Sequence, residues 1–372
     1  MVANLTTRLG QLTSSPAGGP YTGANKIING DMVIDQRGAI ITTDNTYVVD
    51  RFLVRLVNQT AQTFQAQQSS LASTTPSGFI NGLKYLFGGT AAAPAATMVA
   101  GIVQKIEGLN CGDMKFGTAD AKAILLSFWC KSSVTGTFGV CFFNSANNRS
   151  FPATYTISVV NTWEYKTVAV PGDTSGTWLV TNGIGLQVSW DLGVGSTYSG
   201  TATGAWQAAD YRGVTSTTKL CATTAGDFFL TGVKLELGSI ATPFAPDDYQ
   251  VSLGKCYRYY EQINTNASSG YGTAPVNNTI GYNNGTTAYG YLQWSVVKRA
   301  IPTITYSSQN VFRIVDQVTA YTTTALSSPS TYITTSVAEV DITVASGVTT
   351  YRPYVLQAVN NTTQYIAVSA EL

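Results

Sequence analysis

Between residues 26 and 249, short runs of β-branched and aromatic residues are broken every few positions by Gly, Asn, Asp or Ser, a pattern that predicts an antiparallel β-sandwich. Tyr155, Ile157 and Val159 alternate with Thr156, Ser158 and Val160, and Val233, Leu235 and Leu237 alternate with Lys234, Glu236 and Gly238. A period of two sets one side of a strand against a core and leaves the other in water. Segments 125–129 and 183–190 are apolar on both sides, which places them at the centre of a sheet. The pairs Asn29-Gly30, Asn182-Gly183 and Asn284-Gly285 supply the positive backbone angles that tight turns need.

The period changes once. Across 248–263, Leu253, Tyr257 and Tyr260 recur at four- and three-residue spacing behind a potential Asp248 cap, which predicts a helix. Strand patterns rich in Thr and Tyr then return, at 291–297, 302–306, 337–344 and 365–368. Residues 1–24 mix Thr, Ser, Gly and Pro without a sustained period and read as an anchor segment. The expected organisation is all-β: an anchor over 1–24, a sandwich over 25–249, a short helical linker over 250–263 and a smaller C-terminal β domain over 264–372. Heptads, collagen triplets and β-helix repeats are missing, so the sequence contains no fibrous shaft.

Charge narrows the partners. Only 11% of the 372 residues are charged, against roughly 25% in an average soluble protein, so the surface is polar but nearly uncharged. Twenty-one basic and 20 acidic residues leave a net charge of +1, too little to attract nucleic acid or anionic lipid. No segment has the length of apolar sequence that spans a bilayer, and no secretory leader is recognisable. The chain has no histidine, which excludes Ser-His-Asp and Cys-His catalysis. Cys111, Cys130, Cys141, Cys221 and Cys256 are odd in number, lack a CxxC spacing, and read as small buried hydrophobes. No cofactor is expected.

Carboxylates are scattered. A surface-polysaccharide hydrolase would need two of them about 5 to 9 Å apart, and no pair among Asp31, Asp35, Asp44, Asp50, Glu107, Asp113, Asp191, Asp227, Glu236, Asp247 and Asp248 forms a catalytic pattern, so no catalytic residue and no enzyme is expected. Asp35 and Asp50 are expected to pair with Arg37 and Arg51. Arg51, Lys255 and Arg258 read as groups that fix the domains. Aromatics are the stronger signal, with 21 Tyr, 14 Phe and 6 Trp. Flat rings stack on sugars, and tyrosine hydroxyls bond sugar hydroxyls at small conformational cost. Tyr271, Tyr282, Tyr289 and Tyr291, set among Gly, Asn and Thr, are the candidate receptor-binding residues; the bland alternative is packing between strands or subunits. Trp129, Trp163, Trp178 and Trp190 read as core.

Segments 25–38 (NKIINGDMVIDQRG) with 49–52 (VDRF), and 235–260 (LELGSIATPFAPDDYQVSLGKCYRYY), resemble the opening and closing segments of the jelly-roll domain of bacteriophage tail fibres and other virion surface proteins. They lie about 200 residues apart, the length of one sandwich. The resemblance continues through QKIEGLN at 104–110, LSFWCKS at 126–132, NSANNRS at 144–150 and NTWEYKTVAVPGDTSGTW at 161–178, and is looser in the C-terminal third. It implies a structural protein of the virion, made in the host cytoplasm: a tail fibre or receptor-binding projection that recognises host surface glycans. A homotrimer is implied, attached through residues 1–24 to a tail adaptor, nozzle or capsid protein. A capsid-associated fibre, knob or decoration protein is the alternative, and a hydrolase the third. Asn29, Gly30 and Asp31 also resemble the opening of carbohydrate-binding modules that hold calcium; without a second acidic cluster they read as a turn, and no metal is assigned.

Overall fold

The computed structural model describes residues 25–59, 61–71, 76, 78–264, 271–273, 285–308, 312–316, 319–349, 352–359 and 364–372. The anchor reading of residues 1–24 lies outside them. The chain is all-β with one α-helix among the described residues, and it divides into two compact units that meet in sequence at Ser252 and Leu253.

The first unit is a sandwich of two antiparallel sheets. One contains β1 (Thr46–Tyr47), β2 (Phe52–Val57), β5 (Val99–Glu107), β10 (Ile184–Asp191), β7 (Gly136–Phe143) and β8 (Ser150–Ile157) in the order β1-β2-β5-β10-β7-β8. The other contains β3 (Gln62–Ser70), β4 (Asn81–Gly89), β13 (Asp227–Leu237), β6 (Ile124–Ser132) and β9 (Glu164–Val170) in the order β3-β4-β13-β6-β9. β1 with β2, β3 with β4 and β7 with β8 pair directly, and the other connections pass between the two sheets, as in a jelly roll. The two runs that are apolar on both faces, β6 and β10, are interior strands of their sheets. Phe128 on β6 is fully buried and meets the rings of Tyr155 (5.0 Å) and Trp190 (5.7 Å) edge-on. Trimming it to alanine would cost about 3–5 kcal/mol.

The first and last segments of the sandwich close on each other, which gives the paired signature its physical reason. Asn25 donates through Nδ2 to the Val233 carbonyl (2.9 Å) and accepts from the Leu235 amide (2.9 Å), while the Lys26 amide donates to the Leu235 carbonyl (2.8 Å). Gly30 passes so close to β13 that a Cβ there would lie 2.1 Å from the Val233 carbonyl oxygen. Buried Asn29, at φ 60°, donates to the carbonyls of Ile34 (2.8 Å) and Asp50 (3.0 Å) and accepts from the Ile34 amide (2.9 Å). Its side-chain oxygen is committed to the turn. Asp50 pairs with Arg37 (3.3 Å), whereas Asp35 accepts from the Gly38 amide (2.9 Å) and Arg51 donates to the Lys105 carbonyl (2.7 Å).

All five cysteines are buried and unbonded to one another. Burial pushes the Cys111 and Cys130 thiols up to about 12. Of the four tryptophans expected in the core, Trp190 is fully buried and Trp129, Trp163 and Trp178 are half-buried. Trp178 lies on a loop and meets Phe116 (4.9 Å) and Trp206 (5.1 Å) edge-on; strand-like sequence did not reveal that these rings cap the core from its end.

The helix, α1, spans Tyr249–Tyr257, shorter than the expected 248–263. Its first turn closes from the Ser252 amide to the Asp248 carbonyl (3.0 Å), but it buries Ser252 and Cys256 while Leu253 and Tyr257 are half-buried. Residues Tyr260–Asn264 leave the helix to form β14, because the adjacent tyrosines and Ile263 find strand partners on β22, Tyr260 opposite Ser369 and Ile263 opposite Ile366.

The second unit holds β14, β22 (Tyr365–Ser369) and β17 (Thr303–Tyr306) in one sheet, ordered β14-β22-β17. A six-stranded sheet follows the order β15-β21-β18-β19-β20-β16, with β15 at Tyr271–Thr273, β16 at Thr287–Gln293, β18 at Phe312–Val315, β19 at Ala320–Ser327, β20 at Val337–Val344 and β21 at Val355–Val359. Ala288, Leu292, Phe312, Ile314, Val340, Ile342, Leu356, Ile366 and Val368 share its core. Beside that core, Lys298 and Glu261 form a buried pair (2.7 Å), with the Ser295 hydroxyl donating to Glu261 (2.6 Å) and Lys298 donating to the Tyr257 carbonyl (2.5 Å).

Candidate functional site

The outer face of the six-stranded sandwich sheet is not the plain wet surface that alternation leads one to expect. Its residues fall in rows across the strands: Arg55, Gly101, Asp191 and Gly139; then Leu53, Val103, Ser189 and Cys141; then Lys105, Gln187 and Phe143. Leu53 and Val103 form a small apolar cluster with Tyr47 at one side, and Cys141 and Phe143 form another with Val214 at the other. Between and above them runs an open groove of about 270 Å³, walled by Arg55, Lys105, Ser145, Asn147 and Arg212. That is near the low end of the roughly 300–1,000 Å³ usual for small-molecule sites.

One wall is a flap of chain that leaves β10 and carries β11 (Ser199–Gly200) and β12 (Gly213–Val214), paired in parallel. Asp191, fully buried, holds it: one carboxylate oxygen accepts from the amides of Gly193 (3.1 Å) and Val194 (2.8 Å), the other from the Val214 amide (3.0 Å) and the Lys219 ammonium. Gly139 and Gly213 permit the approach, since a Cβ at Gly213 would lie 2.6 Å from the Asp191 carboxylate and one at Gly139 would lie 2.9 Å from Val214. The flap presents Arg212, whose guanidinium is gripped by Asp210 through two hydrogen bonds (2.9 Å each) and lies 5.0 Å from the centre of the Tyr198 ring.

The polar groups of the groove are oriented but not used up. Gln187 donates to the Asn144 carbonyl (3.2 Å) and to Asn147 (3.4 Å), which leaves its own side-chain oxygen as an acceptor. Among the described residues the hydroxyls of Ser145 and Ser189 make no hydrogen bond. Arg55 is fixed by Nε to Asp44 (3.0 Å) and keeps its terminal nitrogens as donors. Lys105 donates to the carbonyl of Leu372, a residue of the same unit (2.6 Å). A floor of leucine and valine edged by hydroxyl, amide and guanidinium groups suits a molecule that presents C–H patches and hydroxyls side by side. The lining contains no Asp or Glu.

The expected receptor-binding tyrosines lie in the second unit. Tyr289 and Tyr291 share one face of β16; Tyr291 is 52% exposed and Tyr289 half-buried. Tyr271 opens β15, at the opposite end of the strand order from β16, and Tyr282 lies outside the described residues. No residue of the sandwich groove was a binding candidate in the sequence, although Lys105, Ser145, Asn147, Ile184, Gln187 and Ser189 fall within segments quoted there. Its trace there is that FLVRLV in β2 and VAGIVQKIE in β5 are apolar on both faces, which in a sheet with one core face marks an outer face that is covered or occupied. In the Asn29-Gly30-Asp31 opening the Asn29 side-chain oxygen accepts from the Ile34 amide, and among the described residues no group of three acidic, cysteine or histidine side chains converges. Among those residues no helix is long and apolar enough to cross a membrane.

No protein-family model matches the sequence, and no curated protein matches it significantly. Among solved structures, the chain is similar to the enzymatically active domain of tailspike protein 4 of bacteriophage CBA120, with 13% identity and a TM-score of 0.32 over 61% of this chain and 23% of that one. It therefore spans about a quarter of the tailspike's length. It is also similar to the family 11 carbohydrate-binding module of the Clostridium thermocellum cellulase Lic26A-Cel5E (12% identity, TM-score 0.26, 55% of this chain and 97% of that one). A third is TmCBM61 in complex with β-1,4-galactotriose (9% identity, TM-score 0.28, 58% and 99%). Scores this low transfer no function, and what the molecule can bind is read from its own groove.

Proposed function

We propose that this protein binds a glycan in the groove over β2, β5, β10 and β7, and that it serves as a surface projection of a bacteriophage virion, a tail fibre or receptor-binding protein that recognises its host's polysaccharide. The observation that carries the binding reading is the unspent hydrogen-bonding capacity of Ser145, Ser189, Gln187 and Arg55 around an apolar floor. A sugar ring offers the matching pattern of hydroxyls and C–H faces. The virion assignment rests on the sequence signature. Within it, attachment through residues 1–24 and a trimer that multiplies weak sites into avidity complete the reading.

Binding rather than cleavage is proposed because hydrolysis of a glycosidic bond requires two carboxyl groups across the substrate, and the groove's lining has no Asp or Glu, while Asp44 and Asp210 are engaged by Arg55 and Arg212 and Asp191 is fully buried. The test is calorimetric titration of the full chain with polysaccharide from candidate hosts, alongside an assay for reducing ends. Saturable binding that weakens about fivefold when Gln187→Ala removes one hydrogen-bonding partner is expected. Release of reducing ends, or binding indifferent to groove substitutions, would sink the reading.

A further inference from the structure

The spare hydrogen-bonding groups of the groove are unequal in kind. Arg55, Lys105 and Arg212 line it, and no Asp or Glu does. Arg55 commits only Nε, to Asp44 (3.0 Å), so the edge formed by its two terminal nitrogens is open toward a ligand. Arg212 commits Nε and one terminal nitrogen to Asp210 and keeps the other. Asn147 accepts from Gln187 (3.4 Å), and its own amide nitrogen makes no hydrogen bond among the described residues. Against these N–H donors stands one unoccupied side-chain oxygen that can only accept, that of Gln187; the hydroxyls of Ser145 and Ser189 can do either.

A neutral sugar offers hydroxyls, which give and take alike, and it leaves part of that donor array unserved. A carboxylate only accepts, with room for about four hydrogen bonds on its two oxygens. Its planar shape matches the open edge of a guanidinium, which holds it through two parallel bonds. The protein's own carboxylates do not fill this role. Asp44 and Asp210 are absent from the lining, so each ion pair turns its cation toward the groove and an incoming anion meets the cation first. Asp191, in the same row as Arg55, is fully buried, with both oxygens taken by the amides of Gly193, Val194 and Val214 and by Lys219.

Building on the reading of the groove as a glycan site, we infer that it selects an acidic sugar, a uronic acid whose carboxylate is clamped by the open edge of Arg55 while its ring rests on Leu53 and Val103. Arg212 and Asn147 donate to the same residue of the chain or the next. The second unit's tyrosine face cannot compete for this ligand, because β20 sets Asp341 opposite Tyr289 and Glu339 opposite Tyr291, and carboxylates on that face repel another.

The test is calorimetric titration of the full chain with acidic and neutral polysaccharides of candidate hosts, each acidic one also in a form whose carboxyl groups have been reduced to alcohols. Reduction removes the charge and keeps the ring. The acidic form is expected to bind at least tenfold more tightly than its reduced form, and Arg55→Gln is expected to erase most of that difference while the reduced form binds variant and parent alike. Circular dichroism checks that Arg55→Gln folds; should it not, Arg212→Gln carries the same comparison with an expected loss of about fivefold. Neutral or reduced polysaccharide that binds as tightly as the acidic form overturns the inference and leaves the glycan reading standing. So does a preference that neither substitution diminishes, or polyglutamate that competes as well as the acidic polysaccharide, since it carries carboxylates without a sugar ring. Absence of saturable binding to any polysaccharide overturns both readings.

Discussion

The groove of the first unit and the tyrosine face of the second unit are both outer faces of six-stranded antiparallel sheets, yet they satisfy their charges in opposite ways. In the groove, Arg55 and Arg212 are each tied to a carboxylate, so their charge is matched while they orient donors, and Lys105 is held by a carbonyl. On the tyrosine face, Asp341 and Glu339 have no such backing. In a chain that is only 11% charged, a charge left unmatched stands out more than one that is paired. The comparison teaches that paired charges can leave a surface with oriented, unspent donors, whereas an unpaired buried oxygen is a cost carried by the fold.

The strongest way to break the comparison is to remove the frame. Asp191→Asn leaves partly buried Lys219 without its carboxylate and weakens the grip on the amides of Gly193, Val194 and Val214. Losing one partner of a buried pair typically costs about 3–5 kcal/mol, and here the flap that presents Arg212 is released with it. The expected result in denaturant is an early transition of the first unit and loss of polysaccharide binding. Because two units can unfold separately, the transitions are followed with probes specific to each. The mirror experiment is Glu261→Gln, which strands buried Lys298 and is expected to lower the second unit's stability by about 3 kcal/mol while leaving the groove's affinity unchanged.

The fold was legible in the sequence wherever one face was dry and the other wet. Tyr155 and Ile157 on β8 are buried as their alternation predicts, and the runs apolar on both faces became interior strands. On β13 the alternation misled: Lys234 and Glu236, expected in water, are as buried as Val233 and Leu235, because they pair with each other and with Thr242. The helix was overextended because Tyr260 fits a four- and three-residue spacing as well as it fits a strand, and only the pairing with β22, more than 100 residues away, decides between them. The groove was hidden for a related reason. Its floor comes from β2, β5 and β10, and its Arg212 wall is held by a carboxylate on β10, contacts set by long-range register that no local pattern encodes. The tyrosine face was half visible: Tyr289 and Tyr291 stood out as exposed aromatics, but their carboxylate partners lie about 50 residues on in β20 and were no more conspicuous than any other acid.

A smaller effect sharpens the groove. Arg212→Ala removes one wall donor and leaves the Asp191 anchor in place, so polysaccharide affinity is expected to fall by about 1 kcal/mol, roughly fivefold, without a change in the first unit's unfolding midpoint. Loss of stability in step with affinity would show that Arg212 supports the flap and does not contact ligand.

The smallest effect tests the unmatched charge itself. Withdrawal from water raises the Asp341 carboxyl above its ordinary value of 3.8, so between that value and its raised one the folded unit holds more protons than the unfolded chain. Stability then rises as pH falls through this window, and above it the ionised carboxylate is a fixed penalty. Asp341→Asn, which carries no charge at any pH, is expected to melt slightly above the parent at pH 7, and the gap is expected to narrow as the pH is lowered toward 4. A variant that melts below the parent at neutral pH would mean that Asp341 already has a partner in solution, and the contrast between the two faces would then reduce to one of shape.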